Sequence, residues 1–280
     1  MREIEVKEIT SAVRRMCMEA NYFLCGDVRG AIEQAAERET SPVGRGILKD
    51  LLKNADIARE EEIPVCQDTG MAVFFVRIGQ EARVTGGLLT DAINEGVRQG
   101  YRDGYLRKSV LDDPIRRKNT GDNTPAVIHY DVALGDKLEI TFAPKGFGSE
   151  NMSALKMLKP SDGLEGVKSF VLDTVRKAGS NPCPPIVVGV GIGGTMDKCA
   201  CLAKHALTRN LEQRNPDPFY AKLEAELLEE INRLGIGPQG FGGTTTALAV
   251  NVETFATHIA GLPCAVNINC HVTRHQTAVL

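Results

Sequence analysis

The chain has no tryptophan and few aromatics of any kind, 5% of its residues. It also has no strong charge of either sign: 33 Lys and Arg stand against 36 Asp and Glu, for a net charge of −3. A nucleic-acid binder usually carries a basic balance or a basic stripe, so that class is not expected. The densest basic run, Arg116-Arg117-Lys118, is short and follows two aspartates, which reads as a solvated turn. No window holds 18 consecutive apolar residues, so no membrane span is expected. The first ten residues, MREIEVKEIT, lack the apolar stretch of a secretory signal. The expected compartment is therefore the cytoplasm, where thiols stay reduced.

What is present suits an ordinary globular core: 42% apolar and 25% charged residues in a chain of 280. Eight cysteines in a reducing compartment point to metal ligands, catalytic groups or small buried hydrophobes rather than disulfides.

Periodicity predicts a helix over the first 25 residues, with Ile4, Ile9, Val13, Met16 and Cys17 near helical spacing. A second helix is expected from Ser41-Pro42, an N-cap with proline in the first turn. MAVFFVRI reads as a strand and Leu88 to Val97 as a helix. AVIHYDV (126–132) and KLEITF (137–142) read as strands paired through Gly135-Asp136. KGFGS (145–149) reads as a loop. Helices follow at 162–178, about 196–208 and 217–233, with strands at Ile186–Val190, Ala247–Val252 and Cys264–Ile268. This alternation predicts an α/β fold, with α+β possible: a helical N-terminal part and a mixed sheet flanked by helices. Neither a repeat nor a low-complexity tract interrupts it, so residues 1–280 are expected to form one domain.

Three loops combine cysteine with turn-forming or polar residues. Cys66-Gln67-Asp68-Thr69-Gly70 sets a thiol, an amide and a carboxylate side by side before a strand. Asn181-Pro182-Cys183-Pro184-Pro185 places a sulfur between prolines, which restrict the backbone and remove N–H donors. Asn267-Ile268-Asn269-Cys270-His271 ends a β-rich run. The three thiols lie more than 80 residues apart, far beyond a zinc knuckle's paired spacing, so only a fold can gather them. Each alone also fits a small buried hydrophobe, as Cys17 and Cys25 do. Two i,i+4 pairs, Cys201/His205 and His271/His275, could each share a helix face. Core packing is the better reading for the first pair, and the second lacks a nearby carboxylate.

Gly189-Val190-Gly191-Ile192-Gly193-Gly194 matches G-x-G-x-x-G between a strand and a helix, as a dinucleotide-binding turn would. The acidic residue expected about 20 positions on would have to fall in the polar stretch 210–217, where no strand is expected. The glycines can equally serve close helix packing. A non-catalytic nucleotide-binding module stays open as an alternative.

Six motifs form a set: CQDTG (66–70), NTGDN (119–123), KGFGSEN (145–151), PCPP (182–185), GIGGT (191–195) and GIGPQGFGGTT (235–245). Together they resemble the iron–sulfur (class I) fumarate hydratase and tartrate dehydratase family over nearly the whole chain, in particular the α subunit of its two-subunit form. The resemblance implies a [4Fe–4S] cluster on Cys66, Cys183 and Cys270. It implies Asp68 as a proton-transfer group, Gln67 beside the substrate and Arg107 as a carboxylate-binding group. It also implies Gly148 as a backbone donor to substrate and His258 as a site histidine. A separate β subunit, a small dicarboxylate substrate and a higher oligomer follow in the same way. KGFGS and LRKSVLDDP resemble the fumarate type more than the tartrate type, so reversible hydration of fumarate to (S)-malate is expected, with L-tartrate dehydration as the alternative.

Overall fold

The computed structural model describes residues 2–280. Eight helices and ten strands among them bear out the α/β expectation. The chain divides into two compact units.

The first unit joins residues 1–24, 55–147 and 274–280. It opens with strand β1 (Arg2–Glu5) and helix α1 (Val6–Tyr22), so the N-terminal helix starts later than its periodicity suggests. Arg2–Glu5 is drawn into parallel pairing with the short strand β3 (Ala82–Thr85). Ile9, Val13, Met16, Cys17 and Ala20 make the buried stripe of α1. Helix α4 (Leu89–Asp103) crosses it closely: a Cβ on Gly96 would sit 2.6 Å from Val13 Cβ, and one on Gly100 2.6 Å from Cys17 Cβ.

The sheet of this unit runs β10-β5-β2-β4, from β2 (Met71–Gly79), β4 (Val127–Ala133), β5 (Leu138–Lys145) and β10 (Gln276–Val279). β4 and β5 do not pair with each other as expected. β2 lies between them, parallel to β4 and antiparallel to β5. Burial explains the order: Ala72–Val76 is buried without a break and takes the centre, whereas β4 is largely exposed and takes the edge. Phe74 and Phe142 meet at 5.0 Å across the β2–β5 pair, in a core with Ile93, Val97 and Tyr101.

The second unit joins residues 25–54 and 148–273. It holds α2 (Gly26–Arg38), which the sequence reading did not find, and the first part of α3 (Pro42–Glu61). KGFGS is not wholly loop: α5 (Phe147–Glu150) forms one short turn there. The sheet runs β6-β9-β7-β8, from β6 (Ala154–Leu158), β9 (Leu262–Asn269), β7 (Ile186–Gly193) and β8 (Ala247–Phe255). Helices α6 (Gly163–Ala178), α7 (Met196–Ala206) and α8 (Pro218–Asn232) cover it.

β7 is buried along its whole length, and its two faces differ. Ile186, Val188, Val190 and Ile192 pack with Val171 of α6 and Leu227 of α8. The opposite face carries Gly189 and Gly191, where a Cβ would lie 2.1 Å from Ala203 O and 2.2 Å from Cys199 O of α7. The G-x-G-x-x-G signal therefore has a packing origin. Its first three glycines lie inside the strand, which runs on to Gly193 rather than ending at Val190. Alternation along a strand puts these glycines on one face; α7 rides directly on the backbone of Gly189 and Gly191, and a Cβ on Gly193 would meet Phe255 O of β8 at 2.0 Å.

Candidate functional site

In the first unit the site residues gather on the turn between α3 and β2. Asp68 closes it: Oδ1 accepts from Gly70 N at 3.0 Å and Oδ2 from Phe147 N at 3.0 Å. Asp68 N lies 3.4 Å from Cys66 Sγ, the geometry of an N–H donated to sulfur. The turn's carbonyls point the other way, into buried side chains. Arg274 Nη2 donates to Asp68 O at 2.5 Å. Tyr101 Oη donates to Thr69 O at 2.8 Å and Gly70 O at 3.0 Å, and Asn123 Nδ2 to Gly70 O at 3.2 Å. Gly70 has φ +77°, and a Cβ there would lie 2.7 Å from Lys145 N, so glycine alone fits beside β5.

Arg107 is tied to the same turn by its backbone. Its N donates to Thr69 Oγ1 at 2.9 Å, and Thr69 Oγ1 donates to Arg107 O at 3.3 Å. Thr69 is buried, while Gln67 and Arg107 are exposed and Cys66 and Asp68 half-buried. The turn thus shows thiol, amide, carboxylate and guanidinium to the outside while its carbonyls face inward.

In the second unit, Cys183 sits in a different kind of turn. It has φ +55°, a left-handed conformation that a non-glycine residue holds only under outside constraint. The constraint comes from two distant residues. His271 N donates to Cys183 O at 3.3 Å, and His271 Nδ1 lies 3.0 Å from the same oxygen. Gln239 donates twice to Pro184 O, from Nε2 at 2.7 Å and from N at 2.8 Å. Gln239 is itself left-handed at φ +52°. Cys270 therefore lies one residue from a group bonded to Cys183's own carbonyl, so the fold brings these two segments together. Gly148 approaches the same turn, its Cβ position 3.8 Å from Asn181 O.

The glycine-rich motif GIGPQGFGGTT supports Gln239. Glu39, fully buried, receives Thr244 N at 2.9 Å and Ser41 N at 2.9 Å. Burial alone would raise its carboxyl, but the N–H and hydroxyl groups of Ser41, Thr244 and Thr245 pull it below the usual carboxylate range. His258 lies in the exposed loop between β8 and β9. Its Nδ1 accepts from Ala260 N at 3.2 Å, which leaves the proton of the neutral ring on Nε2.

The remaining cysteines differ in kind. Burial pushes the Cys17 thiol far up, Cys264 up to about 12 and Cys199 up to about 11, so all three stay protonated near neutrality. Burial raises Cys201 as well, and its i,i+4 neighbour His205 is engaged with Glu253 at 2.8 Å. Cys183 is exposed, and Cys66 and Cys270 are half-buried. Among the described residues no three His, Cys, Asp or Glu side chains are grouped to hold a single metal ion. A cluster spreads its thiolates over several irons, and the donor chemistry here fits that need: three cysteines on loops and outside any disulfide, one of them receiving a backbone N–H.

The fumarate hydratase (fumerase) family profile matches residues 10–279. The chain belongs to that family. It is 45% identical over 273 residues to the putative L(+)-tartrate dehydratase subunit alpha of Methanocaldococcus jannaschii, covering 95% of each chain. It is 33% identical over 278 residues to the L(+)-tartrate dehydratase subunit alpha of Escherichia coli O157:H7, covering 98% of this chain and 91% of that one. The K12 protein of the same name is 32% identical over 278 residues. The family is one of hydro-lyases, and the relatives' names favour the tartrate alternative over the fumarate expectation.

Sequence reasoning singled out Cys66, Gln67, Asp68, Arg107, Gly148, Cys183, His258 and Cys270. It missed Tyr101, Asn123, Gln239 and Arg274, which hold the turns from beneath or beside. Only Asn123 and Gln239 had a signal, since both lie inside quoted motifs (NTGDN and GPQG).

Proposed function

We propose that this chain is the α subunit of an iron–sulfur hydro-lyase that eliminates water from L(+)-tartrate, working with a separate β subunit. The observation that carries the reading is the end-to-end likeness to chains named as L(+)-tartrate dehydratase α subunits. Residues 1–280 act as one functional module in which Cys66, Cys183 and Cys270 hold a [4Fe–4S] cluster. Such a cluster, with one iron lacking a protein thiolate, supplies a Lewis acid at the substrate's hydroxyl and carboxylate oxygens.

The chain's own residues do the rest. Arg107, exposed on the turn that Thr69 anchors, pairs with a substrate carboxylate through its planar fork. Asp68 moves the proton: its carboxylate is held by two backbone N–H groups, which fix the oxygens without using a side-chain partner. Gln67 and the Gly148 N–H bind and orient the substrate, and His258 offers an Nε2 donor. The assembly is cytoplasmic and forms a higher oligomer.

Fumarate–malate chemistry is the second reading, favoured by the family's own description and by KGFGS and LRKSVLDDP. Parallel assays of the anaerobic αβ complex with L(+)-tartrate and (S)-malate separate the two. Brown protein with about four irons and four sulfides per chain is expected. A Cys183→Ser complex that keeps both its iron and its activity would remove the cysteine assignment.

A further inference from the structure

Arg274 is 4% exposed, yet only one of its N–H groups has an acceptor. Nη2 donates to Asp68 O, while Nε and Nη1 are buried with no hydrogen-bond partner. Among the described residues its one recorded partner is a carbonyl, not a carboxylate. Tyr101 and Asn123 show that neutral groups suffice to bind the turn's other carbonyls. A buried guanidinium that leaves two donors unmet is a costly way to bind one carbonyl. Its positive charge is the property that neutral alternatives lack, and it is bonded to the carbonyl of Asp68, whose residue is half-buried.

We propose that Arg274 is a positioning residue of the site, fixing Asp68 through its carbonyl and supplying a buried positive charge behind the turn that meets an anionic substrate. The turn carries the Asp68 carboxylate, and the exposed Arg107 is tied to it through Thr69. A dicarboxylate brings two more negative charges. Arg274 offsets them from below without touching substrate, because low-dielectric surroundings let a buried charge act over several ångströms. Its position in the chain links function to topology: it opens the C-terminal segment whose strand β10 pairs with β5, so sheet pairing holds the guanidinium in place.

The charge effect rests on the proposed hydro-lyase reading, and the orientation effect does not. Arg274→Lys keeps the charge and loses the planar fork. Arg274→Gln keeps an N–H donor and loses the charge. In the anaerobic αβ complex, with iron count and melting temperature as controls, Arg274→Gln is expected to raise KM for L(+)-tartrate or (S)-malate about tenfold. Arg274→Lys is expected to stay within about threefold of the parent, by the same reasoning. Hydrogen exchange of the peptide covering Cys66–Gly70 reads orientation even if neither substrate is turned over. Arg274→Lys should speed it, with α1 and α4 unchanged. Equal KM in Gln and parent, Lys as impaired as Gln, or unaltered exchange in both would each overturn the proposal. If Arg274→Gln does not fold, a tenfold KM rise in Arg274→Lys overturns it alone.

Discussion

The two cysteine turns at Cys66 and Cys183 solve the same problem by different means. The Cys66–Gly70 turn is held by side chains that reach its carbonyls from distant positions: Tyr101, Asn123 and Arg274. The Asn181–Pro185 turn is held by prolines, a left-handed Cys183 and backbone-directed bonds from Gln239 and His271. The first exposes a mixed set of groups, Gln67 among them, and can serve proton transfer. The second presents a single sulfur on a constrained backbone. The contrast teaches that a turn carrying several chemical groups needs its carbonyls tied down individually, whereas a turn carrying one ligand can rely on restricted dihedrals.

Four measurements would sharpen or break that contrast. The largest effect is expected at Asp68→Asn, which leaves one oxygen to accept a backbone N–H, sets an amide NH2 against the other and removes the carboxylate proposed for proton transfer. kcat of the folded complex should fall about 10²–10⁴-fold, with a lower melting temperature from the lost backbone bond. An unchanged kcat would leave the Cys66 turn with ligand duty alone, no different from the Cys183 turn. Next is Gly191→Ala, which probes the support beneath the second unit's sheet. Its Cβ meets Cys199 O at 2.2 Å, and overpacking of this kind costs about 1–3 kcal/mol or more, read as a lower denaturant midpoint. Nucleotide binding should be absent by calorimetry in both forms.

The third measurement compares the two turns directly. Asn123→Ala strips one donor from Gly70 O and the acceptor from Ser109 N, which lies 2.7 Å from Asn123 Oδ1. It should cost about 1–3 kcal/mol, because buried groups lose partners. Gln239→Ala removes one side-chain bond to Pro184 O while the backbone bond stays, and should cost about 1 kcal/mol. The reverse order in urea melts would invert the comparison. The smallest effect concerns Asp122. Burial would raise its carboxyl, but Thr124 Oγ1, Thr124 N and Arg98 outweigh it and hold it down at about 2. A depressed folded value means the stabilisation is present above the ordinary value of 3.8 and lost as pH falls through about 2. With the side chain 30% exposed, about 1 kcal/mol is the expected scale. Asp122→Asn should therefore flatten the acid limb of the stability profile.

The amphipathic helices α1, α3, α4, α6, α7 and α8 were legible because their apolar spacing repeats over several turns. α2 was not, since its buried set is only Val28, Ile32 and Ala36 in a polar segment. The candidate site was legible where cysteines sat in distinctive loops and motifs. Its supports were not, because Arg274 and Tyr101 look like any charged or aromatic residue until a carbonyl is found beside them.

By itself the sequence determined the α/β class, the eight candidate site residues and the family, all properties written in residue type and local spacing. Tertiary structure alone decided that β2 separates β4 from β5, and that the glycines of GVGIGG make room for α7. It alone decided which side chains hold the two cysteine turns. Those outcomes depend on which buried surface takes the centre of a sheet and on which donor reaches a distant carbonyl, and neither is encoded in any short stretch of chain.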